Sequence, residues 1–214
     1  MKVVIAGGHG KIALRLTRLL RAGGDEVVSL IRDPAHAAEV HEAGSSAVIC
    51  DLEHTTVEQV ARAIDGSDAV VFAAGVGPGS GAERKLTLDR DGAIKLIHAA
   101  TSTGISRYVM VSSVGAENPP SGDDVFEVYL RAKADADAAL EASGLEWTIL
   151  RPGGLTEDAG TGRIRLGTSP FRGSVPRDDV AAVLVRLLND SRLTRQILYL
   201  SSGSASIDEA LDRL

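Results

Sequence analysis

Short apolar runs alternate with amphipathic segments along this whole chain, and that alternation constrains the fold more than any other feature. KVVIAG (2–7) is a β-branched run ending in glycine, and in KIALRLTRLLRAGG (11–24) Ile12, Leu16, Leu19 and Leu20 recur at helical spacing before a glycine stop. The pairing repeats with EVVSLI (26–31) before a helix over 35–44, opened by Pro34 and closed by Gly44. SAVIC (46–50) precedes a helix over 56–64, and DAVVFAAG (68–75) leads through a flexible glycine-rich stretch, 75–81, to a longer helix over 88–104. RYVMVSS (107–113) reads as a fifth strand, 115–124 as a loop, the alanine-rich segment 128–140 as a helix and EWTILRP (146–152) as a sixth strand. A short strand over 162–166, a helix over 178–188, a strand over 196–200 and a terminal helical turn follow. Strands that are apolar throughout are covered on both faces, and helices between them imply parallel crossovers. The expected fold class is α/β, a doubly wound parallel sheet built by residues 1–214 as a single domain. Residues 152–176 form a small C-terminal, substrate-covering loop region.

Composition narrows the function. Aromatic residues make up only 3% of the 214, so the core must be aliphatic. The net charge of −6, with arginines scattered rather than clustered, argues against a nucleic-acid partner. No apolar run approaches the ~18 residues of a membrane helix. Cys50 is the sole cysteine, which excludes an internal disulfide and suits a reducing compartment. MKVVIAGGHG runs straight into a strand and a glycine turn rather than a signal peptide, so the expected location is cytoplasmic. The five histidines show no metal-ligand spacing, and no metal is expected. Trp147 reads as packing, and Asp178 and Asp179 as ordinary first-turn capping of the helix they open.

Between the first strand and first helix stands AGGHGKIA. Gly7, Gly8, His9, Gly10, Lys11, Ile12 and Ala13 fit a dinucleotide-binding turn with alanine in the last slot. One glycine permits the sharp turn, another lets the backbone approach a pyrophosphate, and a small third residue lets helix and strand pack. The helix N-terminus adds free N–H groups and partial positive charge. The second strand ends SLIRDP, and Arg32 there suits the 2′-phosphate of NADP, where NAD would call for a carboxylate. NADP (NADPH) is therefore expected over NAD. Lys11 adds charge near the phosphates or stays solvated, and His9 touches them or is a polar turn residue. Asp51 and Leu52 border an adenine, and Ala73, Ala74 and Gly75 let a ribose lie close.

In VYLRAKADADAAL (128–140), Tyr129 and Lys133 are four residues apart on one helix face. Such pairs are common on solvated helices. Beside a nucleotide site, however, an ammonium would pull the phenol below its ordinary ~10 and make it a proton-transfer group. A serine at the end of the fifth strand would donate to a carbonyl oxygen.

With those residues in view, the chain resembles the short-chain dehydrogenase/reductase superfamily, with its NAD(P)-binding Rossmann fold. The similarity is to the atypical branch of small epimerase/dehydratase-like, NmrA-like and biliverdin reductase B-like proteins, and it runs nearly end to end through GGHGKIA, LIRDP, VMVSSVGA, YLRAK, WTILRPGGL and VPRDDVA. The resemblance implies Tyr129 as acid/base, Lys133 as its pKa-lowering partner and holder of the nicotinamide ribose, and Ser113, before Ser112, as the substrate-carbonyl donor. It places Asp89 where relatives carry an asparagine. Pro152, Gly153, Gly154 and Leu155, after the sixth strand, are cofactor-contact candidates whose backbone would hold the nicotinamide amide. The expected activity is NADP-dependent hydride transfer between nicotinamide and a small carbonyl or alcohol. A flavin or planar-acceptor reductase, a non-catalytic NADP-binding regulator, and an epimerase or dehydratase are the alternatives. The partner is a small molecule, and the chain is a monomer or homodimer.

Overall fold

The first strand, β1 (Lys2–Ala6), shows how the sheet divides the apolar residues. Val3 and Ile5 enter one core, and Val4 and Ala6 enter another on the opposite face. Successive side chains of a strand point to opposite faces, so an unbroken apolar run serves two layers at once. The fold described is a computed structural model covering residues 1–77 and 79–214; Pro78, within the 75–81 stretch read as a flexible connection, lies outside the described residues.

After β1 come α1 (Lys11–Ala22), β2 (Glu26–Ile31), a 3-10 turn (Pro34–His36) with α2 (Ala37–Glu42), β3 (Ser46–Ile49), α3 (Val57–Ile64) and β4 (Ala69–Phe72). α4 (Ala82–Arg84) then runs into a π-helix (Lys85–Gly92) and α5 (Ala93–Thr103), followed by β5 (Arg107–Val111), α6 (Val125–Glu141) and β6 (Glu146–Pro152). The C-terminal part contains β7 (Gly154–Thr156), β8 (Arg163–Gly167), β9 (Ser174–Pro176), α7 (Arg177–Asn189), β10 (Gln196–Ser202), β11 (Ala205–Ser206) and α8 (Ile207–Leu211).

Nine strands form one sheet in the order β11-β8-β10-β6-β5-β4-β1-β2-β3. The pairings from β3 through to β10 are parallel, and β8 joins β10 antiparallel. The chain departs from β1 toward β2 and β3, then returns to its other side with β4. That reversal opens a crevice at the carboxyl ends of β1 and β4, where ligands of open α/β sheets bind. α1 and α7 cover one face, and α3, α5 and α6 the other. Leu16 and Leu20 of α1 are wholly buried; each contributes roughly 2 kcal/mol, and this burial fixes the helix against the sheet.

Three expectations are corrected. The helix expected to begin near 88 begins at Ala82, and its middle is wound as a π-helix. Within 152–176, the strand expected over 162–166 is present as β8 and extends the main sheet, but β7 and β9, not expected, pair in a small parallel sheet of their own. Asp178 and Asp179 stand in the first turn of α7 as expected, but their side chains do not cap it. Asp178 accepts from Arg15 Nε (2.6 Å) and Gly160 N (3.1 Å), and buried Asp179 accepts from Thr161 N (3.1 Å) and Gly162 N (2.8 Å). Together they hold the 160–162 turn against α1 and α7.

Candidate active site

The turn after β1 is shaped by its neighbours. Gly7 has φ +78°, and a Cβ there would come within 2.5 Å of Ala74 Cα at the end of β4. A Cβ on Gly8 would lie 2.3 Å from Ser29 Cβ in β2. Gly8 is thus small to pack against β2, and the close approach to a ligand assigned to a glycine falls to Gly10, which borders both halves of the crevice. Gly10 also precedes α1 with no side chain capping the helix, so the first-turn N–H groups are left for an anion. The cradle fits the phosphates of a dinucleotide.

On the outer side the crevice is bordered by the glycine turn, Ile31, Arg32, Asp51, Leu52 and Ala73–Gly75. Arg32 is exposed, with Nη1 3.3 Å from Glu53 Oε2. Glu53 also accepts from Arg84 and from Thr87 Oγ1 (2.6 Å). The Arg84 hydrogen bond, above all, holds its carboxyl at about 2 against the opposing effect of burial. Asp51 has a structural task as well, accepting from Glu53 N (2.9 Å) and meeting His54 Nδ1 (2.9 Å). Leu52 is buried and Cys50 is a buried free thiol on the same wall, its pKa pushed up by burial. His9 stacks on His36 with ring centroids 3.7 Å apart, and its Nε2 lies 2.9 Å from Glu39 Oε2. Lys11 is exposed and donates to Glu157 Oε1 (2.8 Å), so its ammonium is committed to the segment following β7.

The inner side is a cavity of about 810 Å3, continuous with the outer crevice through Gly10 and Ala73–Gly77. That is room for a drug-sized ligand. Tyr129, half-buried, and Lys133, fully enclosed, face it from α6. Lys133 Nζ donates to Val111 O (3.2 Å), stands 3.3 Å from Asp89 Oδ1 and lies 5.8 Å from the Tyr129 ring centroid. Asp89 is brought in by the π-helix, and its Oδ2 accepts from Val76 N (3.3 Å). Burial works against the Lys133 ammonium, but Asp89, the Tyr129 phenol and Asp137 outweigh it and raise its pKa.

Tyr129 departs from expectation. Burial raises the phenol; Lys133 opposes that rise, Asp89 adds to it and Ser113 opposes it, leaving the pKa above the ordinary value. Burial is the largest cause, and the Asp89 carboxylate offsets part of what the Lys133 ammonium does to lower it. The two serines also divide. Ser113 stands by the phenol and donates to Val114 O (3.1 Å), whereas Ser112 Oγ is buried and donates to Asp137 Oδ2 (2.8 Å). In the loop after β6, two of the backbone donors expected to meet the cofactor are engaged within the fold. Gly153 N donates to Leu200 O and Gly154 N to Gly173 O, both at 2.9 Å, and Pro152 is buried with its carbonyl accepting from Val114 N (3.1 Å). Of that loop only Leu155 reaches the cavity.

Sequence reasoning missed Asp137, Arg151 and Lys85. Arg151 Nε and Nη2 bind Asp137 Oδ2 (3.1 and 2.9 Å) and Nη1 binds the Tyr199 hydroxyl (2.7 Å), a buried network beneath the site. Lys85 lines the cavity with its Nζ 5.2 Å from the Tyr129 ring centroid. The signal was spacing: Tyr129, Lys133 and Asp137 fall every four residues, as do Lys85 and Asp89. Among the described residues no group of three or more His, Cys, Asp or Glu is placed to hold a metal, and no helix is long and apolar enough to cross a membrane.

A sheet reversing direction beside a glycine turn, with an uncapped helix start facing the crevice, defines a nucleotide-binding Rossmann protein. Residues 7–191 match the NAD(P)H-binding family, and the chain belongs to it. It is 38% identical, over the full length of both chains, to a Bacillus subtilis protein named an uncharacterized sugar epimerase, YhfK. Among solved structures, a Bacillus halodurans protein with the provisional label NAD-dependent epimerase/dehydratase superposes with a TM-score of 0.93 at 35% identity, covering all of both chains. ChuY, described as an anaerobillin reductase from Escherichia coli, superposes with a TM-score of 0.81 at 26% identity, covering 96% of this chain and 99% of its own.

Proposed function

We propose that the protein is an NADPH-dependent oxidoreductase that reduces a small carbonyl compound, with Tyr129 as proton donor. The observation that carries this reading is the position of Tyr129 and Lys133 on the wall of a cavity that shares Gly10 and Ala73–Gly77 with the glycine-turn crevice. The bound nicotinamide would supply or accept the hydride. The start of α1 holds its phosphates, with Gly10 leaving room for their approach and Gly7 and Gly8 shaping the turn, and Arg32 meets the 2′-phosphate. A phenol raised by burial stays protonated at neutral pH, which suits donation to a carbonyl oxygen as that oxygen gains negative charge. Lys133 then stabilises the phenolate left behind, and the Ser113 hydroxyl orients the substrate oxygen. In this reading residues 1–214 act as one unit, Leu155 borders the substrate, and neither nucleic acid nor a membrane takes part.

A second reading is favoured by one observation. Phe126 is 60% exposed beside the cavity, its ring centroid 5.8 Å from that of Tyr129. It offers a platform for a planar acceptor such as a flavin or tetrapyrrole, which would take hydride without Tyr129. Assaying NADPH oxidation by wild type and Tyr129→Phe against aldehydes, ketones, quinones and flavins separates the two. Carbonyl turnover should fall by about a hundredfold or more in the variant while NADPH still binds. Turnover of a planar acceptor that survives the substitution would establish the second reading instead.

A further inference from the structure

Lys85 enters the cavity from the start of the π-helix, and the chemistry above leaves it unused. Its side chain is 7% exposed, and its Nζ donates to Val76 O (2.5 Å). No carboxylate among the described residues stands within ion-pair distance of it. Asp89, four residues on, is engaged by Lys133. An ammonium carries three donors, and one acceptor is in place. A buried charge without a counter-ion is costly, and burial accordingly lowers the pKa of this group. Around Tyr129 two cations, Lys85 and Lys133, face one carboxylate, Asp89. The cavity's other carboxylate, Asp124, is exposed at the mouth and caps α6 by accepting from Phe126 N (2.8 Å), so the buried end holds one more cation than anion. Lys11 and Arg177, further out on the wall, are both paired with Glu157. Apolar side chains are also offered at the mouth, where Val125, Phe126 and Leu155 are each more than a third exposed.

A neutral carbonyl has no need of this arrangement, because Tyr129 and Ser113 already supply donors for the reacting oxygen. We propose that Lys85 is the receptor for a carboxylate on the substrate, so that the compounds reduced are oxo acids with an apolar or aromatic body. The inference rests on the carbonyl-reduction reading and names its substrate class. The body lies against Phe126 and Leu155, the acid group on Lys85, and the carbonyl beside Tyr129. A hydrogen bond to a charged partner is the strong kind, and its loss is read as a change of tenfold or more in the affected rate constant.

The test compares benzoylformate with its methyl ester as substrates for wild type, Lys85→Met and Lys85→Arg, with NADPH. The wild type should favour the acid in kcat/KM. Lys85→Met should cut the acid-to-ester ratio by about tenfold or more, and Lys85→Arg should restore much of it. A ratio that Lys85→Met leaves intact, or a wild type that prefers the ester, overturns the proposal while leaving carbonyl reduction standing. A loss confined to NADPH affinity overturns it too, since Lys85 would then serve the cofactor. Calorimetric titration of benzoylformate into the NADP-loaded protein supplies a readout without turnover. If neither compound is reduced but the acid binds in a Lys85-dependent way, the receptor stands and the carbonyl-reduction reading falls. Absent or Lys85-independent binding overturns the receptor.

Discussion

The Lys133 ammonium stands 3.3 Å from the Asp89 carboxylate, with both side chains out of water. α6 supplies one and the π-helix the other, so the pair also pins together the two elements that wall the inner cavity. Asp89→Ala would strand a buried ammonium, at a cost on the order of 3–5 kcal/mol. Asp89→Asn, which keeps the volume and an acceptor, should cost less. The raised pKa of Lys133 means that its stabilising contribution is whole below the ordinary lysine value of 10.5 and fades as pH rises past it toward the folded value. Urea unfolding of both variants at neutral pH measures the difference; equal stability for wild type and Asp89→Ala would show that the pair holds nothing together.

Arg32 reaches the outer crevice with its guanidinium half exposed, its hydrogen-bond partner among the described residues being Glu53 at 3.3 Å. If it receives the 2′-phosphate, Arg32→Ala should weaken NADPH binding about tenfold or more and leave NADH binding within about twofold. Fluorescence titration with each nucleotide checks this. Equal losses would reduce Arg32 to a generic surface charge.

Glu53 ties Arg32, Arg84 and Thr87 together, and its carboxyl is held at about 2 rather than 4.5. A depressed carboxyl stabilises the fold above its unfolded value and loses that contribution as pH falls toward the folded value. Glu53→Gln should therefore cost about 2–3 kcal/mol at pH 7, with the gap to wild type closing between roughly pH 4.5 and pH 2. Denaturant midpoints across that range provide the measurement. A gap that stays constant with pH would mean that packing, not charge, holds this corner.

The sheet was legible because its strands are short, β-branched and apolar on both faces, and the glycine turn because few other tasks put Gly7, Gly8 and Gly10 together. Tyr129, Lys133 and Asp89 could be assembled from spacing and resemblance. The direction of the Tyr129 shift could not, because it depends on how deeply α6 packs and on which carboxylate reaches Lys133 first. The engagement of Gly153 and Gly154 was hidden for a related reason: pairing beyond β6 consumes their N–H groups, and nothing local announces that. Lys85 stayed hidden because a lysine in a polar stretch reads as solvated until the π-helix turns it inward.

Gly7 lies against the end of β4 and Gly8 against β2, the two strands that flank β1. The phosphate cradle is therefore cast by the sheet itself rather than moulded by an arriving nucleotide, and little ordering entropy remains to be lost on binding. The same contacts make affinity and folding inseparable here. A side chain added at Gly8 would strike Ser29 before it could obstruct any phosphate, so a damaged cradle would show itself first as a protein that unfolds more easily.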